Sequence, residues 1–123
     1  MWGICLDILT AEGNLFQKVV EYQLDSVGHI ANILQPTNGI QISINAIKPI
    51  DEPPEFVYGD FVSPVNHSDI KGKIETISWH FKNMDYIYNI SVNGKKKSKR
   101  YYAKDLMKKT SDLFDNSNFA HRF

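Results

Sequence analysis

A period of two runs through most of this chain and constrains its fold more than any other feature. In GIQISINAIKPI, residues 39–50, Ile40, Ile42, Ile44 and Ala46 alternate with Gln41, Ser43 and Asn45. Side chains of a pleated strand point to opposite faces in turn, so this spacing predicts a half-buried strand with one apolar and one polar face. The opening WGICLDIL has the same rhythm, with Trp2, Ile4, Leu6 and Ile8 on one side and Gly3, Cys5 and Asp7 on the other. In YIYNISV, Tyr86, Tyr88, Ile90 and Val92 share a face, and KGKIETISWHF before it is rich in β-branched and aromatic residues. One stretch, LFQKVVEYQL, fits two periods. Leu15, Val19 and Tyr22 have helical spacing, whereas Phe16, Lys18, Val20, Tyr22 and Leu24 alternate. The preceding AEGN offers a hairpin turn and the neighbours are strands, so strand is expected at 15–24.

Turn chemistry punctuates the strands at TNG (37–39), KNMD (82–85) and NG (93–94). DEPPEF, residues 51–56, is the clearest boundary, because Pro53 and Pro54 cannot donate ladder hydrogen bonds and hold an extended backbone. About four strands fall on each side. The expected organisation is an N-terminal β half over 1–50, a proline linker over 51–56, a C-terminal barrel over 57–107 and a partly disordered tail over 108–123, with one helical turn near Asp105–Lys109. At 123 residues and 42% apolar content, the chain can build one ordinary core or two very small ones. DSVGHIANI (25–33) and DIKGKIETI (69–77) match at Asp, Gly, Ile and Ile with an offset of 44, which reads as duplication, chance or shared strand grammar.

The segment from Val57 to about Met107 resembles the SH3-like small barrels, including Tudor and KOW-type modules. The matching features are an opening Gly59-Asp60-Phe61-Val62, a second strand beginning Gly72-x-Ile74, a Tyr86–Val92 strand followed by a tight turn, and a closing Tyr102-x-x-Asp105-Leu106. The resemblance implies a fold and names no ligand. AIKPIDE, at the end of the first half, is similar to the last strand of such a barrel. The expected class is therefore all-β, either as two tandem four-to-five-stranded halves or as one eight-stranded sandwich or barrel.

Asn93-Gly94 is a strong hairpin signal, since a type I′ turn needs positive φ at both central residues. A two-residue loop would pair Val92 with Lys95, Ile90 with Lys97, Tyr88 with Lys99 and Tyr86 with Tyr101. One face would then carry Tyr86, Tyr88 and Tyr101 beside Lys97 and Lys99, with Arg100 adjacent. Lysines neutralise phosphates and tyrosines stack on bases, so this hairpin is a candidate nucleic-acid surface. The same lysines equally suit a solvated edge strand, where they oppose edge-to-edge aggregation. Trp79 and Phe81, at the end of a strand, are candidate anchors for a protein partner and equally ordinary core plugs.

Catalysis finds little support. His29, His67, His80 and His121 show no short-range pairing, and Cys5 is the single cysteine, so no metal-ligand spacing exists. Cys5 reads as a buried, inert thiol and the chain as suited to a reducing compartment. His67 beside Asp69 could act as an acid–base pair or simply stabilise a turn, and an enzyme would need His67, Asp69 and His80 to converge. Asp51-Glu52 reads as linker solvation. No cofactor motif is present. The N-terminus reads as neither a signal peptide nor a membrane span, so the expected location is cytoplasmic. With Lys plus Arg and Asp plus Glu both at 14, formal charge is zero, which is unusual for a dedicated nucleic-acid binder. The expected function is a non-enzymatic module binding a protein partner, similar in size and type to small bacterial immunity proteins that neutralise a toxin. The alternative is nucleic-acid binding through hairpin 86–102.

Overall fold

The computed structural model describes residues 1–6 and 15–109. The protein is all-β, with ten strands and two short 3₁₀ turns among the described residues. Strands β1 (Trp2–Cys5), β2 (Val19–Leu24), β3 (Ile30–Gln35), β4 (Gln41–Ser43) and β5 (Ile47–Ile50) form one antiparallel sheet in the order β4-β3-β2-β1-β5. Strands β6 (Phe61–Pro64), β7 (Gly72–His80), β8 (Asp85–Val92), β9 (Lys95–Lys96) and β10 (Leu106–Lys109) form another in the order β10-β6-β7-β8-β9. Each sheet is a four-stranded meander whose fifth strand returns beside the first.

The two sheets repeat one another closely. Trp2 faces Ile50 and Cys5 faces Ile47, while Phe61 faces Lys109 and Pro64 faces Leu106. A constant offset of 59 carries every residue of the β1–β5 ladder onto the β6–β10 ladder in the same register. The same offset carries the 3₁₀ turn at Ile44–Ala46 onto that at Ala103–Asp105. The equivalence is therefore not the offset of 44 suggested by DSVGHIANI and DIKGKIETI. Element for element, residues 25–33 correspond to the β7–β8 turn and the start of β8, whereas 69–77 lead into β7.

Two compact units result. The first comprises Met1–Pro54 together with Ile77–Tyr86, and the second comprises Glu55–Thr76 and the chain from Ile87 onward. The break at Pro54/Glu55 falls inside DEPPEF. The breaks around 77–86, the end of the β7–β8 hairpin, have no counterpart in sequence composition.

In the first unit Cys5, Leu15, Val20, Tyr22, Ala31 and Ile33 are buried in one cluster with Ile42 and Ile47. Burying a Leu or Ile side chain contributes about 1.5–3 kcal/mol. Residues 15–24 adopt the strand alternative over Val19–Leu24, preceded by a turn; AEGN and residues 7–8 lie outside the described residues. Consecutive Gly3, Ile4 and Cys5 are all buried, so both faces of β1 are covered and the expected one-sided alternation does not hold there. The run 39–50 is not one strand. Ser43 Oγ accepts a hydrogen bond from the Asn45 N–H at 3.2 Å, and the Ile47 N–H donates to the Ile44 carbonyl, closing a 3₁₀ turn between β4 and β5. That turn shifts the buried parity from Ile42 to Ile47.

In the second unit Phe56, Val62, Ile74, Tyr88, Ile90 and Leu106 are buried. Local carboxylates set its bends: Asp60 accepts from the Val57 N–H at 2.9 Å, and Asp105 from the Tyr102 N–H at 3.0 Å. Residues 106–109 form β10, so the helical turn expected near Asp105–Lys109 is replaced by a 3₁₀ turn and a closing strand. The ladder to β6 satisfies backbone groups that one isolated helical turn would leave open. The tail from residue 110, with His121, lies outside the described residues.

Candidate functional site

In the first unit, the end of the β7–β8 hairpin and the exit from β5 enclose a cavity of about 390 Å³. Trp79 and Tyr86 meet edge to face across the hairpin, with ring centroids 4.9 Å apart and planes at 84°. The Tyr86 hydroxyl donates to the Glu52 carbonyl, tying the hairpin to the segment after β5. Ile4, Ile50 and Met84 complete the apolar wall, while Lys48, Asp51, Glu52 and Asp85 bring charge to it. Met84 is 65% exposed at a backbone φ of +53°, a left-handed position that a Met occupies at some cost and that turns its side chain outward. Phe81, 46% exposed, lies beneath the Lys48 ammonium, 5.6 Å from its ring centroid. A second cavity, of about 420 Å³, shares Pro49, Ile50 and Asp51 with the first and is bounded by Trp2 and Tyr22. Burial pushes the Tyr22 hydroxyl above its ordinary pKa, so it stays protonated at neutral pH.

Trp79 and Phe81, expected as anchors, thus stand at this cavity or beside it, and Tyr86 forms its wall. Asp51, Glu52 and Met84 were not anticipated as site residues. The pair Asp51-Glu52 reads as linker solvation in the sequence, and only the return of β5 beside β1 places it against aromatic side chains.

The second unit holds the basic hairpin. Asn93 and Gly94 have φ of +54° and +79°, the two positive values of a type I′ turn. Val92 pairs with Lys95 and the Lys97 N–H donates to the Ile90 carbonyl at 2.9 Å, as the two-residue loop requires. Beyond that point the register differs from the expected one. Tyr88 pairs with Tyr101 instead of Lys99, through two N–H···O bonds of 2.8 Å, so Tyr86 does not face Tyr101. Two extra residues bulge between Lys97 and Tyr101. The Asn89 side-chain amide holds the bulge, donating to the Lys99 carbonyl at 3.0 Å and approaching those of Lys97 and Ser98.

Tyr88 is fully buried, with its ring edge-on to Phe56 at 5.4 Å, and offers no face for stacking. Lys97, Lys99 and Arg100 are exposed, and Tyr101 is half-buried with the Lys99 ammonium 5.1 Å from its ring centroid.

His67 borders a small cavity of about 190 Å³ with Asn66, Lys99, Tyr101 and Asp105; Asp69 does not line it. His80 belongs to the first unit, where its Nδ1 accepts from the Asn83 N–H at 3.0 Å. Among the described residues no three His, Cys, Asp or Glu side chains are placed to hold a metal ion, and no helix is long and apolar enough to cross a membrane. Cys5 is fully buried.

The chain matches, over residues 13–107, a family described as a family of unknown function (DUF6960), and it belongs to that family. The match runs through both units. No curated protein and no solved structure matches the chain.

Proposed function

We propose that this chain is a non-enzymatic binding module that recognises a protein partner through the cavity of its first unit. One observation carries the reading: a 390 Å³ recess walled by Trp79, Tyr86, Ile4 and Ile50, with Met84 projecting at its mouth. Aromatic and Met side chains around a recess are the composition of interface hot spots, where a partner's side chain is desolvated on all sides. A Met at a strained, outward-turned position fits a contact residue better than a core one.

The same reading takes each unit as an SH3-like barrel. The meander, the 3₁₀ turn and the closing strand beside the first support it. It also places the protein with small cytoplasmic bacterial binders of the immunity-protein type.

The test is affinity capture from the source cell with wild-type protein and with Phe81→Ala/Met84→Ala, both exposed positions where the fold should stand. A partner retained by wild type and lost from the variant supports the reading. No partner at all, or one held equally by both, sinks it.

A further inference from the structure

The zero net charge of the chain conceals an uneven distribution. Among the described residues the first unit carries three lysines against five carboxylates, whereas the second carries ten lysines and arginines against five. Five of those ten, Lys95, Lys96, Lys97, Lys99 and Arg100, follow one another along the exposed β9 hairpin arm and its bulge. Beside the bulge lies a cleft of about 450 Å³ whose floor is Ile70, Ile90 and Val92 and whose rim is Lys97, Lys99 and Tyr101. Such a cleft is apolar below and cationic at its edge. The bulge creates it, because the regular register would have paired Lys99 with Tyr88.

We propose that this cleft is a single-stranded nucleic-acid site, a second binding function independent of the first unit's cavity. An unpaired base fits an apolar floor of this size beside the Tyr101 ring, and Lys97, Lys99 and Arg100 meet the phosphates on either side. A duplex keeps its bases stacked inside and could use only the cations, so the apolar floor selects a single strand. The occupant's negative charge complements the cationic excess of the unit, and a base–aromatic contact adds affinity without demanding a sequence. Anchoring by Asn89 fixes the backbone of the bulge, which lowers the ordering cost on binding.

The test is fluorescence anisotropy with a labelled mixed-sequence 12-nucleotide single strand at 50 and 200 mM salt. Controls are the matching duplex and polyglutamate. Three phosphate contacts on a single strand give a logarithmic salt slope of about −2, so affinity should fall roughly 20-fold between the two salts. Lys97→Ala/Lys99→Ala/Arg100→Ala should remove binding while its circular dichroism spectrum and melting stay as in wild type. Duplex binding equal to single-strand binding overturns the base seat. Polyglutamate binding with the same affinity and slope assigns the surface to acidic proteins and overturns the proposal. Absence of binding at 50 mM salt does the same.

Discussion

The Tyr88 hydroxyl accepts a hydrogen bond from the Glu55 N–H at 3.1 Å, joining the middle of β8 to the segment that follows Pro54. The neighbouring Phe56 N–H approaches the same oxygen at 3.5 Å, and the Phe56 ring packs edge-on against Tyr88. A side chain with no solvent exposure can keep a polar atom only if it is satisfied, so this contact turns a tyrosine into a core residue of the second unit.

Tyr88→Phe keeps the ring and its edge-on contact and removes the hydroxyl, including its role as acceptor for the Glu55 N–H. It should lower unfolding free energy by about 1 kcal/mol, while Tyr88→Ala, which also opens a cavity, should cost about 3–5 kcal/mol. Urea unfolding measures both. A Phe variant as stable as wild type would show that the hydroxyl contact contributes nothing net.

Two glycines separate a backbone constraint from a side-chain one. A Cβ on Gly3 would stand 2.5 Å from Ile47 Cγ2 and 2.8 Å from the Lys48 carbonyl oxygen, which the β1–β5 ladder fixes. A Cβ on Gly72 would meet Ile90 Cδ1 at 2.8 Å, a methyl that a rotamer change can move. Gly3→Ala should therefore destabilise more than Gly72→Ala, with overpacking costs of about 1–3 kcal/mol. Thermal melts of the two variants rank them, and the reverse order would contradict the close approach of β5 to β1.

These constraints mark what the sequence could and could not display. β-Branched and aromatic composition located β7, alternation located β8, and Asn93-Gly94 announced a type I′ turn, because all three are encoded by residues adjacent in the chain. Period two continues unbroken through Ile44–Ala46, however, since a three-residue 3₁₀ turn leaves the letters alternating while it rotates the backbone. The bulge before Tyr101 was invisible for a related reason. An unpaired pair of residues changes which partners meet without changing any pattern along either strand. The candidate site inherited both effects: Trp79 and Phe81 were legible as aromatics at a strand end, whereas Asp51 and Glu52 join them only through the return of β5. Tyr88 looked available for stacking until its hydroxyl partners, more than thirty residues away in the chain, were in view.

The Asp25 carboxylate makes stability depend on acid pH. Its Oδ1 accepts from the Ile30 N–H at 3.2 Å and the His29 N–H at 2.8 Å, across the β2–β3 turn. The Ile30 amide is the largest cause of a carboxyl pKa held below its ordinary value; burial, next in size, opposes it, and the His29 and Gly28 amides and the His29 charge add to the lowering. A folded pKa below the unfolded one means that the contribution is complete above about pH 4 and is lost as pH falls through the folded value. Asp25→Asn should lower the melting temperature at pH 7 and flatten its fall below about pH 4. An unchanged acid limb in the variant would assign the acid sensitivity to other carboxylates.

The division of the chain makes a stronger demand. Residues 77–86 belong to the first unit: Lys18 bridges to Ser78, the Lys48 ammonium sits over the Phe81 ring, and Tyr86 donates to the Glu52 carbonyl. A fragment ending at Pro54 has all five strands of its own sheet and lacks every one of these contacts. Unpaired groups along Lys18 and the uncovered Ile4 and Ile50 would then face water. The fragment 1–54 should give a poorly dispersed amide spectrum and no cooperative melt, although its sheet is complete. Adding a cyclised peptide spanning 77–86, closed to hold the hairpin, should restore dispersion at peptide concentrations well above the fragment's. A fragment that folds cooperatively without the peptide would show that the hairpin end is an accessory to this unit, and that composition alone had drawn its boundary correctly at Asp51–Phe56.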